Sequence, residues 1–389
     1  MPLTKEKAIE LVTRIDYDAE IKQKFLARLE SDLFSSHESF ASNSLLLSIM
    51  LMTFDNFADI PQKRHIFYSN AFDTLYSIHD ATKGGYKRNL KSHLSSQEFK
   101  KVFSCFCFIS YLGATTEFSR DKLNSYLDAV VNKPASFDKD AFIDDLTSSV
   151  CLIYIEGTNY IFTHKSFQEY FAALYLLQMN DEEQKNASIF LLENCENTLK
   201  TDSVFEMLSD MNPDRFEQNF VLPLLQQICS LVPEDCTDNR KIFQAFINKI
   251  IITSIKNLHH ISDSEFEHIF ILPLLCFEKN DNLICISFKK GIHPNFLFFL
   301  GTHYNEKADF QITINKNHKL PTKYFAKEYQ ASAVANDPTL FNYVMNIYLV
   351  NTIVTTPIPL LKQIKDRQEQ KKNDETKLFM RFLSIGSDD

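Results

Sequence analysis

Glycine is nearly absent from this chain: seven residues in 389, at positions 84, 85, 113, 157, 291, 301 and 386. Tight β-turns and phosphate-wrapping loops both draw on glycine, which takes positive φ without cost and lets backbone amides approach an anion. A chain so poor in glycine, with 35 Phe and 15 Tyr, is expected to be mainly α, its helices packed through bulky side chains. The same scarcity bears on chemistry. No Gly-x-x-x-x-Gly-Lys-Ser/Thr loop occurs, and no apolar strand runs into acidic residues suited to holding Mg²⁺. The chain alone is not expected to be an enzyme that hydrolyses ATP, and no nucleophile elbow or paired-carboxylate motif points to another hydrolase.

A net charge of −9 argues against a large nucleic-acid footprint, which depends on Lys and Arg set against phosphate. The eight cysteines are scattered, most of them inside apolar runs such as Phe103-Ser104-Cys105-Phe106-Cys107-Phe108. They read as buried, reduced thiols of a cytoplasmic protein, and Cys105-x-Cys107 lacks a second pair at zinc-ligand spacing. The longest apolar run, Leu45 to Phe54, is about half of a membrane span, so a soluble protein is expected.

Three regions are expected. Residues 1–82 read as a helical bundle: Thr4 and Asp18 can cap helices, and Ile21, Phe25, Leu29 and Leu33 repeat every four residues. Ser42-Asn43-Ser44 then opens a helix apolar on all sides, which should be buried. Thr82-Lys83-Gly84-Gly85 marks a boundary. Residues 83–180 run as three helices, a hairpin turning at Gly157-Thr158-Asn159, and a helix opened by Ser166 and Glu169 at capping-box spacing, the pattern of a winged helix. Residues 181–389 read as helical. Phe216–Leu225 matches Phe266–Leu275 at seven of ten positions, which suggests stacked α-solenoid-like hairpins, and Lys362 to Lys377 reads as a solvated helix or tail.

Two segments resemble a known family. Phe40-Ala-Ser-Asn-Ser-Leu-Leu-Leu-Ser-Ile-Met50, with Ile60-Pro-Gln-Lys-Arg-His-Ile-Phe-Tyr68 and Ala71-Phe-Asp-Thr-Leu75, is similar to the helical domain that follows the nucleotide-binding core of NACHT proteins. That group of signal-transduction (STAND) ATPases includes NOD-like receptors and many bacterial defence proteins. Tyr160-Ile-Phe-Thr-His-Lys-Ser-Phe-Gln-Glu-Tyr-Phe-Ala-Ala-Leu174 resembles the end of the family's winged-helix domain. The resemblance covers roughly residues 1–180 and implies the C-terminal half of such a protein, with the phosphate-loop core absent. It implies that His164 contacts the β-phosphate of ADP and helps hold a closed resting state. It also places Ser44 at the adenine-side helix start, where the family has Pro, so that the rigid apolar contact is lost. Phe162, Phe167, Tyr170 and Phe171 read as core, and Gln168 and Glu169 as capping and packing residues.

The leading expectation is therefore a regulatory and sensing arm in antiphage defence. It would use ATP or ADP with Mg²⁺ only together with a NACHT core in cis or trans, bind a protein ligand (phage-derived) through the C-terminal helices, and oligomerise on activation. The alternative is a stand-alone helical scaffold with no nucleotide role, in which His164 is hydrogen-bonded within its own fold. DNA binding is disfavoured because the candidate recognition helix, 138–150, carries Asp138, Asp140, Asp144 and Asp145.

Overall fold

In the computed structural model, helices begin where side-chain caps stand. The structure describes residues 2–57, 60–61, 63–81, 90–135, 137–194 and 202–230, and beyond them 232, 238, 241–242, 250–257, 274–279, 282–288, 329–330, 336–345 and 357–385. The chain is mainly helical among these residues and forms two compact units, Met1–Met179 with Asp202–Pro213, and Asn180–Thr201 with Asp214–Asp389. The expected boundary at 82–85 lies outside the described residues.

In the first unit, Thr4 accepts from the Lys7 amide to open α1 (Lys5–Arg14), and Asp18 accepts from Glu20 and Ile21 to open α2 (Ala19–Arg28). A π-turn, Leu29–Leu33, carries α2 onward and keeps Phe25, Leu29 and Leu33 buried. Helix α3 (Ser44–Phe57) buries Leu46, Leu47, Ile49, Met50, Leu51 and Phe54, as its apolar circumference requires. Helix α4 (Arg64–Ala81) packs beside it. Ser95 and Glu98 then form a capping box on α5 (Ser96–Leu112), satisfying two otherwise unpaired amides.

After α5 come β1 (Glu117–Phe118), α6 (Arg120–Ala129, capped by Ser119), α7 (Lys139–Asp144, capped by Asp138), β2 (Ile153–Glu156) and β3 (Asn159–Phe162). The strands pair antiparallel in the order β1–β3–β2. Gly157, at φ +62°, takes the first turn position between β2 and β3, where a side chain would be strained. Strand β1 is too short to show in the periodicity. Asp145, in the π-turn Asp145–Ser149 after α7, is not presented outward as on a recognition helix. It is fully buried and accepts from the amides of Lys91 and Ser92, both at 2.9 Å.

Helix α8 (Lys165–Gln178) closes this region by packing along α5. Phe171 meets Phe103 edge-on at 4.7 Å and Phe72 at 5.3 Å, while Phe99, Phe106, Phe142 and Phe162 extend the cluster. Phe162, Phe167, Tyr170 and Phe171 are all buried.

In the second unit, α9 (Asp181–Asn194) packs on the π-turn Glu217–Val221, where Asn219 donates to Asp181 at 2.8 Å and Gln184 at 2.7 Å. Helix α10 (Val204–Met211), although expected with the C-terminal region, belongs to the first unit. Helix α11 (Leu222–Cys229) follows the π-turn.

The chain beyond 180 is not all helical. Strands β4 (Ile250–Asn257), β5 (Leu274–Lys279), β6 (Asn282–Phe288) and β7 (Tyr329–Gln330) pair antiparallel in the order β5–β6–β4–β7. Ile250-Ile251-Ile252-Thr253 is β-branched throughout, a composition that favours strands. The sequence echo does not carry over to the backbone either: Leu224 and Leu225 are helical, whereas Leu274 and Leu275 open β5. Residues 266–273 of the second copy lie outside the described residues. A short apolar run suits helix or strand, and pairing with β6 decides it here.

Helix α12 (Pro338–Met345) precedes α13 (Pro357–Ile385), whose Leu360, Leu361 and Ile364 are buried and which packs against α11. From Lys365 to Leu378 α13 is nearly all exposed, the solvated helix expected over 362–377. No helix among the described residues is long and apolar enough to cross a membrane.

Candidate functional site

The sequence-predicted histidine stands where strand passes to helix, and it caps that helix itself. His164 has extended backbone (φ −152°, ψ 134°), and its Nδ1 accepts from the Ser166 amide at 3.2 Å. The expected cap, Ser166, lies inside the first turn, and its hydroxyl also bonds His164 Nδ1. The expected capping box with Glu169 is not formed, because that carboxylate is drawn elsewhere, to α10. With Nδ1 accepting, the neutral ring carries its proton on Nε2. Burial pushes the His164 pKa below 6.5, and nearby Glu169 partly restores it.

Around His164 lies a polar seam between α4, α8 and α10. Tyr68 hydrogen-bonds the Ser166 hydroxyl; burial drives its phenol pKa up, so it stays protonated. Tyr170 stacks on Tyr68 at 5.7 Å, and Phe167 meets Tyr68 edge-on at 5.2 Å. One turn before Tyr68, Arg64 donates to the Ser203 hydroxyl at 2.8 Å and to Glu206 at 3.3 Å. Glu169 is 6% exposed; it accepts from the Ser203 amide at 3.2 Å and pairs with Lys165 at 3.1 Å. Beside it Asp202 accepts from the Tyr111 hydroxyl at 2.6 Å and the Val204 amide at 3.3 Å. Burial pushes the Asp202 carboxyl up to about 6, with Glu169 adding to the rise and Tyr111 opposing it. Gln168 bridges within the fold, donating to Ser110 Oγ and the Thr115 carbonyl, both at 2.8 Å.

Ser44 is not brought into this seam. It is the exposed first residue of α3, and the cap is its neighbour Asn43, which accepts from Leu45 and Leu46 at 3.0 and 3.1 Å. The Ser44 carbonyl accepts from Ser48, and no hydrogen bond or ion pair among the described residues joins Ser44 to His164.

Sequence reasoning missed Asp202, Ser203, Glu206, Arg64 and Tyr111, which converge from separations as large as 142 residues. The available signal was the amphipathic stretch Val204, Phe205, Met207 and Leu208, all buried. No protein-family model and no curated protein matches the chain.

Proposed function

We propose that this chain is the regulatory and sensing arm of a NACHT-type signal-transduction ATPase, in which His164 contributes a phosphate contact to a nucleotide held by a separate phosphate-loop core. One observation carries the reading. Because Nδ1 is engaged as the helix cap, the ring is oriented with Nε2–H as donor, at a helix N-terminus that favours anions. An imidazole kept neutral by burial donates to a phosphate oxygen without holding a buried charge in the empty state. Helices α5, α6 and α7 with strands β1, β2 and β3, in the sheet order β1–β3–β2, support reading 83–180 as a winged helix. Loss of the adenine-side contact at Ser44 leaves the phosphate end as this arm's share of nucleotide recognition. ADP with Mg²⁺ would sit on the core, and ligand binding to the C-terminal unit would release the arm.

Affinity purification of the chain from the cells that make it, with mass spectrometry of co-purifying protein and nucleotide, tests the proposal. The expected result is a phosphate-loop core, on the same or a partner polypeptide, carrying ADP that His164→Ala lowers. Recovery with neither core nor nucleotide, or ADP retention untouched by His164→Ala, would overturn it in favour of a nucleotide-free scaffold. A linked expectation concerns pH. The His164 ring of the free chain should titrate below 6.5 in an NMR titration, so its contribution to stability is complete above pH 6.5 and is lost as pH falls through the folded-state pKa.

A further inference from the structure

We propose that α10 is a proton-tightened clasp, fastened to α5 and α8 by two neighbouring carboxylates, the partly buried Asp202 and the buried Glu169. The inference is independent of the nucleotide reading. The segments flanking α10 in sequence, Asn180–Thr201 and Asp214 onward, belong to the second unit.

The attachments concentrate at the N-terminal end of α10. From α5, the Tyr111 hydroxyl donates to Asp202. From α8, Glu169 receives the Ser203 amide and Lys165 pairs with it, with His164 at the helix cap. From α4, Arg64 is committed to Ser203 and Glu206, while Tyr68 faces Ser166. On α10 itself, Asp210 lies further along, 4.0 Å from Lys63 and near His65. The cation that pairs with Glu169 is thus Lys165, 43% exposed and partly screened by water, while Asp202 relies on a phenol and an amide. A partly buried acid beside a second, buried carboxylate is expected to take up its proton more readily.

Burial raises the Asp202 carboxyl from 3.8 to about 6, so the docked state binds its proton more tightly than the released state. Docking is strongest when Asp202 is protonated, weakens as pH rises from about 4 towards 6, and levels off above that.

Hydrogen exchange on the full chain reads this directly, with peptides covering 202–211 compared to peptides from α3. After correction for intrinsic exchange, α10 is expected to open about tenfold more at pH 7 than at pH 5, while α3 changes little. Asp202→Asn should abolish the rise. Tyr111→Phe removes a hydrogen bond to the ionised carboxylate and should move the midpoint to higher pH, which gives a second readout if Asp202→Asn fails to fold. Equal α10 protection at the two pH values in the unmodified chain overturns the clasp. So does Asp202→Asn with an undiminished rise, or Tyr111→Phe with an unmoved midpoint.

Discussion

Helix α8 faces two environments. Through Phe167 and Phe171 it enters an aromatic core, where these two rings meet Tyr68 and Phe103 edge-on at 5.2 and 4.7 Å. On its other side lies a seam of charges and hydroxyls: His164 caps the helix by accepting from Ser166, while Gln168 and Glu169 take partners from other elements. The core draws its stability from buried area and is insensitive to pH. The seam gives little net stability, because desolvation offsets the hydrogen bonds, but its state can change with one proton or one ligand. The aromatic side holds the fold, and the polar side is where a switch can be read.

The largest expected effect falls on the aromatic side. Phe171→Ala, at a fully buried position touching Phe72, Phe103 and Tyr170, should cost about 3–5 kcal/mol in chemical denaturation. A loss under about 1 kcal/mol would mean the core repacks freely and the contrast with the seam fails. Next comes Gln168→Leu, which keeps volume but withdraws the donor from Ser110 and Thr115. About 1–3 kcal/mol should be lost, because the buried Thr115 carbonyl loses its Gln168 donor.

A paired test separates the cap from its neighbour at α3. Asn43→Ala should lower stability by about 1 kcal/mol, whereas Ser44→Ala should stay within about 0.5 kcal/mol. The reverse ranking would return the helix start to Ser44. The smallest global effect is expected for Arg64→Ala, below about 1 kcal/mol, because the Arg64 and Glu206 side chains are 39% and 53% exposed. Its signature should be local, with faster exchange in α10 and little change in the denaturation midpoint. A large global loss instead would make the seam part of the stability core.

Much of the first unit was legible from residues alone. Thr4, Asp18, Ser95, Ser119 and Asp138 each stand one residue before a helix and accept from its first amides, because capping is a contact within three residues. The hairpin between β2 and β3 was legible for the same reason, through Gly157. The start of α8 was misjudged: Ser166 and Glu169 have capping-box spacing, yet Glu169 is engaged by an amide 34 residues away, leaving the cap to His164. The strands β4 to β7 escaped a reading that extended the helical pattern past 180, although the isoleucine run at 250–252 carried the opposite signal.

The sequence by itself determined helix starts at local caps such as Thr4 and Asp18, that the chain would be mainly helical, and which Phe and Tyr of the His164 segment would be buried, because these follow from short-range geometry and apolar periodicity. Tertiary structure alone decided that α10 returns to the first unit and that Asp202 and Glu169 lie together. It also decided that Asp145 turns inward to hold Lys91 and Ser92. The charge a carboxylate carries depends on what surrounds it in space, and no spacing along the chain encodes that burial.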